Sequence, residues 1–189
     1  MKLTTTLVSL IAIATAATAT KTYSVPLDKD AGLIYTNMKC GDKACSDTNL
    51  AGQTSYTAFL GNKDFRRILL GFKKPDSVDQ TKIKSCMLML PASTSSSSSP
   101  SYYNLIVRSL GSDFDPNTVT PKNAPVAGDV IGQTTANDGT PPPSIDVTSA
   151  CRNMNNGMID LGIDATSGPA TFPSMAGGSS AQLMIVTED

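Results

Sequence analysis

Between residues 20 and 189 the chain alternates short apolar runs with clusters of Gly, Pro, Ser, Thr, Asn and Asp, and nowhere sustains the i, i+3, i+4 spacing of an amphipathic helix. The runs predict strands at Tyr56–Leu60, Phe65–Phe72, Ile83–Leu90, Tyr102–Ser109, Met158–Ile163 and Gln182–Thr187. Within the second, Ile68, Leu70 and Phe72 fall on one face by the period of two. In the fifth, Ile159, Leu161 and Ile163 do the same, opposite Met158 and Asp160. Each such face needs a second layer to cover it. Many short strands joined by turns and long connections predict an all-β fold: two stacked antiparallel sheets in a β-sandwich of the jelly-roll type. With no Trp, its core must be built from Leu, Ile, Met and five Phe.

Two segments stand outside that pattern. Pro91-Ala92-Ser93-Thr94, Ser95 to Ser99 and Pro100-Ser101 carry almost nothing apolar to bury, which predicts an exposed hairpin loop over 93–101. Its hydroxyls are candidates for O-linked sugar, and the chain holds no N-x-S/T acceptor. At the start, Met1-Lys2 is a short positive region, Leu3 to Ala16 is uncharged, and Ala17-Thr18-Ala19 has the small-x-small form that signal peptidase cuts. This predicts a signal peptide over 1–19 and a single sandwich domain over 20–189, secreted and either extracellular or associated with the cell wall. No second stretch approaches the ~20 apolar residues of a membrane span, so none is expected after cleavage.

An exported chain normally oxidises its thiols. Cys40, Cys45, Cys86 and Cys151 allow three pairings. The polar segment Gly41-Asp42-Lys43-Ala44 can fold back to join Cys40 to Cys45, which leaves Cys86 with Cys151. Two staples are expected rather than a redox or metal centre, since no CxxC motif and no His is present.

The absence of His also removes the Ser-His-Asp and Cys-His nucleophiles and the imidazole base. Glu188 is the sole glutamate, so a glycosidase pair of carboxylates would have to be two Asp. The expectation is therefore of a protein that is not an enzyme. Fifteen Lys and Arg against sixteen Asp and Glu, with no basic block, make nucleic acid an unsuitable partner. Asp28, Asp30, Asp42, Asp47, Asp113, Asp115 and Asp146 offer oxygen ligands for a structural calcium ion, without the spacing of an EF-hand loop. No other cofactor is indicated.

The order of the motifs adds a family resemblance. Thr57-Ala58-Phe59-Leu60-Gly61 is followed by Phe65-Arg66-Arg67-Ile68-Leu69-Leu70-Gly71-Phe72 and by Ile83-Lys84-Ser85-Cys86-Met87-Leu88-Met89-Leu90. Phe114 to Pro125, Ile145-Asp146-Val147-Thr148, Gly157-Met158-Ile159-Asp160-Leu161 and Leu183-Met184-Ile185-Val186 complete the series. It resembles the DNRLRE domain, also described as carbohydrate-binding module family 96, over roughly residues 25 to 187. That family shows an "R-x-L-L-x-F" strand, an "I-x-x-A-x-L-x-L" strand, a "W-x-E-x-x-V-T-W" segment, a "D-V-T" motif and a closing "L-x-V" strand. Here Phe114 and Pro121 replace the two Trp, and Asn117 the Glu. Cys86 takes the small position of the third strand, facing the segment after "D-V-T" that holds Cys151.

The resemblance implies a non-catalytic module that binds a cell-wall or matrix polysaccharide through a sheet face. Without Trp to stack a pyranose ring, cationic and hydroxyl contacts must serve, favouring an acidic polymer. The candidate binding residues are Lys63, Arg66, Arg67, Lys84, Tyr103 and Arg108, on or beside the predicted strands. Tyr102 and Tyr103 must point to opposite faces, one exposed and one in the core. The alternative is a structural or adhesive subunit that self-associates into a coat, fibre or appendage.

Overall fold

A computed structural model describes residues 19–36, 49–61, 64–94, 102–154, 156–179 and 181–188. Their strands are β1 (Thr20–Pro26), β2 (Lys29–Thr36), β3 (Ser55–Leu60), β4 (Asp64–Lys73), β5 (Ile83–Met89), β6 (Tyr102–Leu110), β7 (Ala127–Asn137), β8 (Ile145–Asp146), β9 (Met158–Ser167), β10 (Ala170–Pro173) and β11 (Gln182–Glu188). A 3₁₀ turn (Gln80–Lys82) and one helix, α1 (Thr148–Arg152), complete the described elements. Cys40, Cys45, Lys63, Asp42, Asp47, Ser95 to Ser101 and the signal segment up to residue 18 lie outside the described residues.

The strands form two antiparallel sheets. One has the order β1-β11-β5-β8. The other runs β10-β3-β4-β9-β6-β7, with β2 on the opposite edge of β4 from β9. They pack face to face as an all-β sandwich, and all six predicted strands are present. The filling is the alternation read from the sequence: Ile68, Leu70 and Phe72 from β4 and Ile159, Leu161 and Ile163 from β9 meet Val25, Cys86, Leu88, Leu183 and Ile185 of the smaller sheet. Each core side chain of this kind contributes roughly 1.5–3 kcal/mol by leaving water.

In β5 a bulge preserves that alternation. Ser85 pairs with Val186 and Ile83 with Thr187, so Lys84 is the extra residue and stands exposed while Ile83 turns inward. Arg152, in the last turn of α1, donates to the carbonyls of Ile83 (2.9 Å) and Lys84 (3.1 Å) at the bulge.

The segment Asp146-Val147-Thr148 wraps around Cys86. Val147 N–H donates to the Cys86 carbonyl at 2.9 Å, and Cys86 N–H donates to Thr148 Oγ1 at 2.9 Å. Asp146 accepts Thr148 N–H at 2.9 Å, starting the helix that brings Cys151 under the sheet. The expected Cys86–Cys151 disulfide follows, across 65 residues of sequence with both cysteines fully buried.

The connection after β5 departs from expectation. Because β5 pairs with β11 and β8 while β6 pairs with β7 and β9, the intervening segment crosses between sheets and is no hairpin. Ser93, the first residue of the loop predicted over 93–101, is buried, donating to Asp138 at 3.2 Å and accepting Gly139 N–H through both its hydroxyl and its carbonyl at 3.2 Å. On β2, Asp30 is buried as well and accepts Met175 N–H at 2.7 Å, fixing the turn between β10 and β11. Burial pushes its carboxyl above the ordinary 3.8, against the pull of that N–H.

Two outcomes are expected. Replacing both Cys86 and Cys151 by Ala removes a cross-link closing a 65-residue loop and lowers stability by about 4 kcal/mol in the chain-entropy view, measurable by urea denaturation. For Asp30, a folded-state pKa raised above 3.8 means that its favourable contribution is complete below that pH and is lost as the pH rises through the raised value. Asp30→Asn keeps an acceptor for Met175 N–H without the charge. Its melting temperature should gain on the wild type between about pH 3 and pH 7, and a gap independent of pH would contradict this origin.

Candidate functional site

The face of the larger sheet turned away from the sandwich core carries an ordered set of charges. By register, Lys29, Gly71 and Asp160 form one row across β2, β4 and β9; Ala31, Leu69 and Gly162 form the next; Leu33, Arg67 and Asp164 the third. The two carboxylates of β9 thus sit on the same face with a glycine between them, and each has a cation from a neighbouring strand.

Both glycines are there for space. A Cβ on Gly71 would fall 2.4 Å from Lys29 Cε and 2.9 Å from Asp160 Oδ1, in the path by which Lys29 reaches across β4. A Cβ on Gly162 would press on Arg67 Cδ at 3.3 Å and Leu110 at 3.2 Å. Arg67 accordingly lies along β9 and donates to Asp164 twice, Nε to Oδ1 at 2.6 Å and Nη2 to Oδ2 at 2.8 Å. Arg108 of β6 donates Nε to the same Oδ2 at 3.1 Å and Nη1 to the Gly128 carbonyl at 3.1 Å. Asp164 is 5 % exposed, Arg67 12 % and Arg108 30 %. Burial works against the Arg67 charge, and the bonds and field of Asp164 more than restore it, so its pKa stands above the ordinary value of a guanidinium. The guanidinium also lies over the Phe65 ring at 5.1 Å, and Phe65 packs on Tyr35 with centroids 5.3 Å apart.

Half of this face is covered. The segment 111–126 folds back over β2 and β4, burying Phe114 and Val119 against Ala31, Leu33 and Leu69. Its shape is fixed internally: Asp115 accepts from Asn117 N–H and Thr118 Oγ1, Thr120 N–H donates to Asn123 at 2.6 Å, and Asn49 donates to the carbonyls of Pro116 and Val119. Lys29 holds its start, donating to Asp113 and to the Phe114 carbonyl at 2.9 Å, with its ammonium 4.5 Å from the Phe114 ring centroid.

The other half, over β9, β6 and β7, is open among the described residues. A groove of about 470 Å³ runs there, lined by Asn104, Ile106, Gln133, Thr134, Thr135 and Thr166. Asn104 stands opposite Thr135 and Ile106 opposite Gln133. Thr135 Oγ1 donates to Asn104 Oδ1 at 2.6 Å, which directs the Asn104 amide nitrogen away from β7. Among the described residues neither that nitrogen nor the Gln133 amide has a hydrogen-bond partner. Two residues before Asn104 on the same face is Tyr102, 73 % exposed.

The predicted binding residues do not form one patch. Arg67 and Arg108 meet at Asp164, beside the groove. Lys84 lies on the smaller sheet, paired with Glu188 at 3.2 Å. Arg66 points to the other side of β4 from Arg67, its guanidinium 6.0 Å from the Phe59 ring and its Nε buried without a hydrogen-bond partner among the described residues. Tyr103 requires correction: it is fully buried, edge-on to Phe172 at 6.0 Å, because β6 turns its odd-numbered positions into the core, and Tyr102 is the exposed ring. Of the carboxylates offered for calcium, Asp30, Asp113, Asp115 and Asp146 are engaged in the separate bonds given above, and among the described residues no three His, Asp, Glu or Cys come together as a metal site. Sequence reasoning missed Asn104, Gln133, Thr135 and Thr166. The signal for two of them, Gln133 and Thr135, was the polar stretch beside Gly132, which has no apolar alternation.

Asp164→Ala strands Arg67 in a nearly closed site and is expected to cost about 3 kcal/mol in chemical denaturation, whereas Arg108→Ala, at the more exposed member, stays within about 1 kcal/mol. Equal losses would mean that Asp164 serves both arginines alike.

No family model matches the chain. It is 32 % identical, over an alignment of 187 residues covering 94 % of each chain, to a protein of Arthroderma benhamiae described as an uncharacterized secreted protein. The secretion expected from the first nineteen residues agrees with that description. Among the described residues no helix is long and apolar enough to cross a membrane. With this identity over nearly the full length of both chains, the protein belongs to the same family of secreted proteins as its Arthroderma benhamiae relative.

Proposed function

We propose that this secreted protein is a non-catalytic module that binds an extracellular polysaccharide on the open half of the larger sheet. The observation that carries the reading is the groove itself: amide and hydroxyl groups of Asn104, Gln133, Thr135 and Thr166 on three adjacent strands, with the exposed Tyr102 ring on the same face. Amides and hydroxyls can donate to and accept from sugar hydroxyls, and a tyrosine can lie against the apolar side of a pyranose ring. Rigid strands hold these groups in place, which limits the entropy lost on binding. The motif order shared with the DNRLRE domain supports the same class of ligand.

The polymer is neutral in this reading. Arg67 and Arg108 are engaged by Asp164, and Lys84 is on the other sheet, so the cations that favoured an acidic chain do not act together. Affinity electrophoresis on soluble neutral and uronic-acid polysaccharides should show retardation by a neutral polymer, little changed between about 50 and about 500 mM salt because stacking is not screened. Tyr102→Ala and Gln133→Ala should each weaken it about tenfold, the equivalent of about 1.4 kcal/mol. Wild-type retention in both variants would place binding elsewhere. Growth of the purified protein into ordered polymers without retardation by any polysaccharide would replace this reading with that of a self-assembling coat or fibre subunit.

A further inference from the structure

Lys29 meets two carboxylates and an aromatic ring in a place that water scarcely reaches. Its side chain is 12 % exposed, and its ammonium lies 4.5 Å from the centroid of the buried Phe114 ring. Nζ is in direct contact with Asp113 Oδ1 and stands 3.6 Å from Asp160 Oδ1, which is buried and accepts no hydrogen bond among the described residues. The bare Gly71 keeps this passage clear, since a Cβ there would fall 2.9 Å from Asp160 Oδ1.

The two acids differ in character. Asp160 has a side chain only 8 % exposed, and burial pushes its carboxyl above the usual range in spite of the Lys29 charge beside it. Such a group is suited to carry a proton. Asp113 is 66 % exposed, and its Oδ1 also accepts the Phe114 N–H at 2.7 Å, a donor placed where negative charge develops when that carboxyl is attacked. Both acids line a concavity of about 620 Å³ at this end of the sandwich, through which a small product can leave. An amine held against a carboxyl in this way has an effective concentration far above that of any free solute.

We propose that Lys29 and Asp113 join spontaneously in a covalent side-chain amide, with Asp160 carrying the protons. The ammonium first gives a proton to the Asp113 carboxylate, leaving a neutral amine and a neutral acid. Nζ then bonds to Asp113 Cγ. Asp160 takes one proton from the nitrogen and gives its own to Asp113 Oδ2, the Cγ–Oδ2 bond breaks, and that oxygen departs as water. Asp160 ends as it began, and no oxidant or cofactor is consumed. The product replaces a largely buried ammonium and its counter-charge by a neutral group, which removes a desolvation cost. Its N–H keeps an acceptor in the Phe114 carbonyl, 2.9 Å from Nζ. The bond ties β2 to the start of segment 111–126 as the disulfide ties β5 to α1, and unlike the disulfide it survives reduction. It is independent of the polysaccharide reading.

Trypsin cuts after a free lysine and not after an amidated one. The secreted wild-type protein, reduced, alkylated and digested, should therefore yield residues 22–39 joined to residues 109–122 as one branched product, lighter than the two peptides together by one water in mass spectrometry. Asp113→Ala, a change at an exposed side chain, should restore cleavage after Lys29 and release residues 22–29. Asp160→Asn, of the same size, should stop the amide from forming while the Cys86–Cys151 disulfide still forms, which reports that the variant folds. If that variant does not fold, the wild-type digest decides alone. Separate peptides 22–29 and 109–122 from the wild type, a bond to the peptide that holds Asp160 instead, or a fully linked Asp160→Asn protein would overturn the proposal.

Discussion

Two carboxylates on the middle of the larger sheet, Asp160 and Asp164, govern the face of the molecule that looks outward. Charges buried on a strand must find partners of opposite sign, and here the register of β2, β4 and β6 against β9 delivers Lys29, Arg67 and Arg108 to them. Much follows from that one requirement. Gly71 and Gly162 stay bare so that long cationic stems can lie across the sheet. Lys29, once drawn across, anchors Asp113 and the Phe114 carbonyl, and so fixes where segment 111–126 lands. That segment then divides the face into a covered apolar half and an open polar half.

The division decides what each half can do. Under the cover, Phe114 and Val119 form a small core of their own with Leu33 and Leu69, separate from the one between the sheets. Over β6 and β7 none of the described residues forms such a cover, and the polar side chains of the strands remain at the surface in the fixed spacing of the sheet. The end of β9 near Asp160 has a third character, acidic and recessed, because Lys29 there is shared between two acids.

The strands with inward alternation were legible in the sequence, since burying every second residue leaves a period of two in β5, β6 and β11. Others were not. β1 and β7 are edge strands with few buried positions, and a strand that buries little shows little pattern. β2 is buried on both faces near its centre, so Asp30-Ala31-Gly32-Leu33 has no alternation to read. The pairing of Cys86 with Cys151 followed from the spacing of the other two cysteines, and the partnership of Arg67 with Asp164 did not, because it depends on the registration of strands 97 residues apart. Tyr102 and Tyr103 show the same limit: alternation assigned them to opposite faces, and only the neighbouring sheet decides which face is inside.

The last of the described strands occupies an interior place. β11 lies between β1 and β5 in the smaller sheet, its residues paired from Thr20↔Glu188 on one side to Gln182↔Met89 on the other. During synthesis and export, the beginning and the middle of that sheet therefore wait for residues 182–188 before they can be joined. Until then Val25, Cys86 and Leu88 have no β11 between them, and the inner face of the larger sheet has only part of its lid. The domain must close in a late, long-range step, of the kind that is slow and exposes apolar surface meanwhile. Loss of residues 182–188 would split the smaller sheet through its middle rather than fray an edge.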